Sequence, residues 1–432
     1  MRKVMKDAFK YISAYIITAA VLVGLLVAVA LIPRSSIREN MRRSTELLCR
    51  NDVFMRMPGG LEAGKIDRYA DSILLGIAYS YDSEKPLESV MWSAYYNKEF
   101  TDENFNLLEA VKEGKEANRQ YLRYWHGSNV IVRPLHLIFS LKGIYILNAV
   151  MLTVLAAFLF ALLIREGAIA PAIGLAAGFA AASVWYVPYS LEYTWTFYIT
   201  LIMSIVMVLR ERRGRKTALV IPFMICGMIT CFMDFLTTEL LTLLVPLLIV
   251  IWFRWREPRH EDFGWKRIAA PAVGWGAGYV GMWLTKWILA AIVLGENVIP
   301  YVKENLEERI NGNIGIGTWE YLKGSISRNI RMLLPWGFGG FGIFAALAGG
   351  FAIIYLCYVC KKKKVRLKPV LMYTAVACVP FVRYLVLHNH SFLHAFFTFR
   401  TLIATILATA LIVGEMIDWR LFRHENKKKR RT

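Results

Sequence analysis

The sequence predicts an all-α, polytopic membrane protein of about ten transmembrane helices, with a helical outer-face subdomain in the first loop. Three observations carry this. Apolar residues make up 56% of the chain and gather in blocks near the roughly 20 residues that cross a bilayer as helix. A long polar stretch, Arg34 to Lys142, separates the first block from the rest. The basic residues concentrate in alternate connections between blocks, as a fixed orientation in a membrane requires.

Spans are read at 11–33, 143–164, 169–189, 194–210, 218–235, 237–253, 268–294, 340–360, 369–388 and 400–419. The first is long for the apolar core of a signal peptide and lacks a small-x-small cleavage site, so it reads as a retained anchor. The organisation that follows is a cytoplasmic N-terminus with the first span (1–33), a large extracytoplasmic helical loop (34–142), a helix bundle (143–419) and a basic cytoplasmic tail (420–432). No internal repeat links the two halves, which weakens an inverted-repeat transporter reading.

The formal charge of +20 would suggest nucleic acid in a soluble chain, so the position of the charges matters. Of the 52 Lys and Arg, 28 lie in segments 1–10, 165–167, 210–217, 254–267, 361–368 and 420–432; with the nine acids there or at adjacent helix ends, these hold a net +19. The positive-inside bias then puts both termini in the cytoplasm of a cell membrane. No charge remains to argue for nucleic-acid binding. Runs such as Lys361 to Lys364 and Lys427 to Arg431 set topology and meet anionic membrane lipids.

Within the polar loop, Asp67 to Tyr81 reads as an amphipathic helix: Tyr69, Ile73, Leu74 and Ile77 form an apolar stripe, and Asp67 and Asp71 share another face. Thr101 to Arg119 reads as a second helix with acids near its start. The loop returns to the membrane through Tyr121 to Ser128 and Arg133-Pro134, where crowded aromatics and Arg suit the interface. The glycines of Asn311 to Gly317 and Trp336 to Gly342 lack a preceding strand and a Walker lysine, so they are loop or helix-end residues and not a nucleotide cradle. Only Cys49 among six cysteines lies in an outer loop, and no disulfide framework is implied.

Polar groups from distant segments gather at the outer ends of the spans: Asp67, Asp71, Glu192, Asp234 and Glu239 among acids, and His126, Arg133, His136, Lys286, Arg383, His388, His390, His394 and Arg400 among bases. Lys286 and Arg383 lie inside apolar spans, where an unpaired charge facing lipid is costly. They are candidates for function, with snorkelling to the interface as the alternative. A DxxxD spacing is often just a solvated helix face; its place beside a basic, aromatic membrane mouth favours catalysis by Asp67 or Asp71. His390 and His394, at i and i+4, lack the intervening Glu of a zinc-protease motif. Anion handling by Arg and His is the preferred reading, because both can neutralise a phosphate.

This layout resembles the GT-C superfamily of multi-pass glycosyltransferases. It is also similar to uncharacterised bacterial membrane proteins with a DxxxD-bearing first loop (here Asp67 and Asp71), a Tyr-Trp-His-Gly stretch (Tyr124 to Gly127, then Arg133-Pro134) and a His-rich motif before the final span (Asn389 to His394). The resemblance implies transfer of a sugar from a polyprenyl-phosphate donor to a cell-envelope glycan or lipid acceptor, with Asp67 as first choice of base. GT-C acids are commonly adjacent or next-but-one, whereas these are four apart. Which acid is the base, and whether the second orients it or binds a divalent cation, stays open. Arg133, His126, Lys286, Arg383, His390, His394 and Arg400 are the expected substrate-binding set. Two other readings stand beside the enzyme: a transporter or flippase of a lipid-linked glycan, and a non-catalytic envelope assembly protein.

Overall fold

The structure is a computed structural model that describes residues 2–57, 61–213, 218–256, 264–311, 315–334, 340–362 and 364–418. The helices, in chain order, are α1 (Arg2–Ala30), α2 (Arg34–Leu48), α3 (Arg68–Ser80), α4 (Pro86–Trp92), α5 (Glu103–Glu113), α6 (Asn129–Leu135), α7 (Leu141–Arg165), α8 (Ile169–Ala181), α9 (Leu191–Arg212) and α10 (Val220–Met233). They continue as α11 (Leu241–Arg254), α12 (Lys266–Leu294), α13 (Ile299–Asn311), α14 (Thr318–Arg331), α15 (Gly340–Val359), α16 (Leu367–Val386), α17 (His388–Leu393), α18 (Ala395–Thr398) and α19 (Ile403–Met416).

Among the described residues, six helical segments are long and apolar enough to cross a membrane: Ala8–Ala30 of α1, α7, α9, α12, α16, and Ala395–Met416 across α18 and α19. Four more apolar helices are shorter: α8, α10, α11 and Leu347–Val359 of α15. At 1.5 Å per residue a helix of this length reaches about 20 Å, against a hydrocarbon core of roughly 30 Å. The shortening has local causes. Ser183, with a left-handed φ of 51°, ends the apolar block that begins at Ile169, and the chain goes on as a 3₁₀ turn, Val184–Tyr189, containing Pro188. Between α10 and α11, Asp234 accepts hydrogen bonds from the Thr237 backbone N–H (3.0 Å) and hydroxyl (2.5 Å), drawing this turn out of the helix.

The polar stretch folds as α2 to α6 plus one feature absent from an all-α reading, a short antiparallel hairpin of β1 (Phe54–Arg56) and β2 (Lys65–Asp67). Its register pairs Phe54 with Asp67, Met55 with Ile66 and Arg56 with Lys65. Helix α3 starts one residue later than the amphipathic pattern suggests because Asp67 is its N-cap, and the expected stripe of Ile73, Leu74 and Ile77 is buried. Helix α5 is capped by Asp102, whose carboxylate accepts the Asn104 and Phe105 N–H groups at 3.0 and 3.1 Å. It stops at Gly114, whose left-handed φ of 72° glycine adopts without strain, and so falls short of Arg119.

Small residues set the closest helix crossing. A Cβ on Gly227 of α10 would sit 2.1 Å from the Trp275 carbonyl oxygen of α12, and one on Gly278 of α12 would sit 2.1 Å from that of Met224 of α10. Both contacts are with backbone, so no side chain can swing aside. Gly278→Val is expected to force these helices apart and to cost about 1–3 kcal/mol, read as a lower unfolding midpoint in detergent; an unchanged midpoint would contradict the tight crossing.

Two ion pairs, one buried and one half-exposed, close helix ends elsewhere in the bundle. Arg254 bridges to Glu211, and Arg366 holds Glu415 through bonds of 2.8 to 3.1 Å. All six cysteines are free, with Cys357 buried and Cys360 partly buried. The basic tail 420–432, residues 214–217 and 257–263 of the basic loops, and residues 312–314 and 335–339 of the glycine-rich segments lie outside the described residues.

Candidate active site

Asp67 closes the hairpin and opens α3, so its side chain is fixed from both directions. Its Oδ1 accepts the Ala70 N–H at 2.9 Å, and the residue is only 4% exposed. Asp71, one turn on, is fully buried and fully occupied: it accepts the Tyr145 hydroxyl (2.5 Å), the Ser190 hydroxyl (3.1 Å) and the Glu192 N–H (3.2 Å). These bonds moor α3 to α7 and to the N-terminus of α9, where a carboxylate is favoured by the helix dipole.

The mooring brings a different acid to Asp67. Glu192, in the first turn of α9, lines the same cavity as Asp67, and its Oε2 is buried with no hydrogen-bond partner among the described residues. Burial raises the Asp67 carboxyl to about 7; the Ala70 N–H opposes that rise and the charge of Asp71 adds to it. Burial likewise raises Asp71 to about 6, against the pull of the Tyr145 hydroxyl and the α9 N–H groups. Asp67, Asp71 and Glu192 are all buried, and carboxyl groups crowded together out of water resist ionising together.

The Trp-His-Gly stretch has a mechanical explanation. The Trp125 indole donates to the Met282 carbonyl at 2.8 Å, and Gly127 donates its N–H to the Phe232 carbonyl at 2.9 Å. A Cβ at Gly127 would lie 2.2 Å from the Phe232 ring, so only glycine fits. Between them His126 adopts φ 53°, a strained conformation for a side chain of this size, and packs 5.2 Å from Phe235. Burial, then the charge of Lys286, lowers His126 to about 3, which keeps the imidazole neutral.

A second strained residue faces it. Leu236 has φ 66°, and its carbonyl receives bonds from Arg383 Nη2 (3.0 Å) and His390 Nε2 (2.8 Å). Arg383 also clamps Glu239 through two bonds, at 2.6 and 3.1 Å. His390 and His394 stand 4.7 Å apart between ring centroids, and His394 stacks on Phe397 at 5.2 Å.

Together these elements enclose a cavity of about 300 Å³, lined by Asp67, Glu192, His126, His390 and His394, with Arg119 and Arg123, and ringed by Tyr69, Tyr95, Tyr121, Tyr124, Phe235 and Phe397. Of the residues singled out in the sequence, Asp67, Glu192, His126, His390 and His394 meet here. Asp71 and Arg383 lie behind the wall and position it.

Three others are engaged elsewhere. Arg133 donates to the Ile32 carbonyl (2.5 Å), tying α1 to the polar segment. Lys286 donates to the carbonyls of Val90 (2.9 Å) and Met91 (3.1 Å) and to the Ser93 hydroxyl (2.9 Å), closing the C-terminus of α4. Arg400 donates to the carbonyls of Ala63 (3.0 Å) and Phe396 (3.3 Å) and lies over the Tyr193 ring.

Arg119 was visible in the sequence only as the end of an expected helix, Arg123 only as a member of an aromatic, basic stretch, and Glu192 only as an acid at a span's end. A larger, open depression of about 680 Å³ beside Arg34, Asp82 and Glu296 contains no histidine. No group of three or more His, Cys, Asp or Glu among the described residues is arranged to hold a metal ion.

The chemistry available in the cavity is two buried carboxyls, imidazole and guanidinium, with aromatic faces for an apolar or sugar surface. That combination can take a proton from a hydroxyl and neutralise an anion within one enclosed space. No family model, no curated protein and no solved structure matches the chain.

Proposed function

We propose that this protein is a membrane glycosyltransferase of the GT-C kind, moving a sugar from a polyprenyl-phosphate donor to a cell-envelope acceptor. The observation that carries the reading is the Asp67–Glu192 pair facing histidines and arginines inside one cavity. The ten apolar blocks are taken as spans, some of them short, with the polar segment outside the cytoplasm and both termini inside, as the distribution of Lys and Arg favours.

In the reaction, Asp67 as carboxylate accepts the proton of an acceptor hydroxyl. The acceptor oxygen bonds to the anomeric carbon as the bond from that carbon to the phosphate oxygen breaks, and the phosphate leaves with the electron pair. Arg119, Arg123, His390 and His394 balance the charge that develops on it. Glu192 sets the protonation of Asp67, and Asp71 holds α3 so that Asp67 faces the cavity. Tyr69, Tyr121 and Tyr124 offer ring faces to the sugar.

The test is transfer of labelled sugar from a panel of polyprenyl-phosphate donors by purified protein in lipid, with native-membrane acceptors supplied. A new glycosidic bond supports the enzyme. Movement of intact donor across the bilayer without bond cleavage would replace it with a transporter.

A further inference from the structure

The end of the bundle away from the candidate site carries a second cluster of charge. Helix α9 begins at that site with Glu192 and runs 22 residues to Arg212, about 33 Å at 1.5 Å per residue. There the ends of α9, α11, α15, α16 and α19 are tied together. Arg254 of α11 pairs with Glu211 of α9. Arg366, just before α16, holds Glu415 of α19 and donates to the Trp255 carbonyl at 2.9 Å. Just past α15, Lys362 donates its N–H to the Met416 carbonyl at 2.9 Å, which sets it beside Glu415.

Glu211 and Glu415 balance Arg254 and Arg366, and further cations remain. Arg256 lies over the Trp252 ring at 4.0 Å and Lys368 over the Trp255 ring at 5.5 Å. Both are exposed, and neither joins an ion pair among the described residues. Lys362 is the third. Burial lowers its pKa, Glu415 opposes that, and the like charges of Arg366 and Arg256 add to it.

Basic residues at the ends of spans are usually a solvated topology signal. Two observations set this patch apart. The Tyr373 hydroxyl, in the second turn of α16, is buried without a partner among the described residues and feels the charges of Glu415, Arg366 and Arg256. Buried hydroxyls are nearly always hydrogen-bonded, so a donor in this position beside cations points to an anionic acceptor. Next to Lys368, Leu367 and Leu371 stand exposed one turn apart on α16, an apolar track leading away from the charges.

We propose that this patch is a discrete site for an anionic phospholipid of the adjoining leaflet. Arg256, Lys362 and Lys368 surround the phosphate, Tyr373 donates to one of its oxygens, and an acyl chain runs along Leu367 and Leu371. The chemistry selects the occupant: cations with a hydroxyl donor take a phosphate, and the exposed leucines favour a phosphate joined to acyl chains over the free ion. The site stands apart from the chemistry at Asp67 and does not depend on it.

The test is native mass spectrometry of the full-length protein in detergent, titrated with dioleoyl phosphatidylglycerol, with dioleoyl phosphatidylcholine and inorganic phosphate in parallel. Phosphatidylglycerol is expected to bind about tenfold more tightly than phosphatidylcholine and to resist displacement by excess inorganic phosphate. Arg256→Gln and Lys362→Gln each weaken its binding about fivefold. Tyr373→Phe keeps the ring, removes the donor and weakens binding about tenfold. Arg267→Gln, on the exposed first turn of α12, removes a charge outside the patch and leaves the affinity unchanged. Equal binding of phosphatidylcholine, displacement by inorganic phosphate, an unaltered affinity in Tyr373→Phe, or an equal loss in Arg267→Gln overturns the proposal.

Discussion

Asp67→Asn is expected to lower kcat for sugar transfer by about 10²- to 10⁴-fold, the usual contribution of a positioned base, while donor binding persists. Asparagine keeps the shape of aspartate and can still cap α3 by accepting the Ala70 N–H, so the fold should survive. What it loses is the capacity to take a proton. Asp71→Asn provides the contrast. Asp71 accepts three hydrogen bonds and lines no part of the cavity, so its replacement is expected to act mainly on stability, through the connection of α3 to α7 and α9. Single-turnover kinetics and thermal unfolding on both variants separate the roles. Equal losses of kcat with unchanged stability would mean that the pair shares the chemistry.

The largest effect on stability is expected at Glu239. This carboxylate and the Arg383 guanidinium are both buried and bonded twice to one another. Removing one partner strands the other charge inside the protein, a change that costs about 3–5 kcal/mol. Glu239→Ala is therefore expected to lower the unfolding midpoint far more than Glu239→Gln, which keeps an acceptor for Arg383. The consequence reaches the site because Arg383 also holds the Leu236 carbonyl at φ 66°, and the neighbouring Phe235 lines the cavity. Unfolding in detergent, followed by tryptophan fluorescence, measures the difference; indistinguishable midpoints for the two variants would contradict a buried, tightly paired charge.

Much of the membrane character was legible in the sequence because it is a bulk property: apolar blocks and one-sided Lys and Arg survive errors of several residues. Span lengths were less legible. The block from Ile169 reads as continuous by hydropathy, yet Ser183 turns the backbone left-handed and ends the helix early.

In the site, Asp67 stood out by its DxxxD spacing in the polar loop, and His390 and His394 as polar groups where an apolar block ends. Buried cations were harder to place, since a charge in an apolar span signals function equally whether its partner is a ligand or a backbone carbonyl. The Val90 carbonyl that receives Lys286 lies 196 residues away, and no local pattern announces it. Glu192 posed the opposite difficulty. Its pairing with Asp67 depends on the hairpin that fixes Asp67 and on the Asp71 bonds that bring α3 to α9, a coincidence of three distant segments.

The central claim, that a buried carboxyl of raised pKa supplies the base, is tested most directly by the pH dependence of kcat/KM for sugar transfer by the purified protein in lipid. Burial raises Asp67 to about 7, and only its ionised form accepts a proton. The rate should therefore be full above that value and fall roughly tenfold per pH unit below it. A profile flat from about pH 5 to 8, a range set by where a carboxyl of ordinary pKa stays ionised, would show that no such carboxyl governs the reaction and would contradict the account.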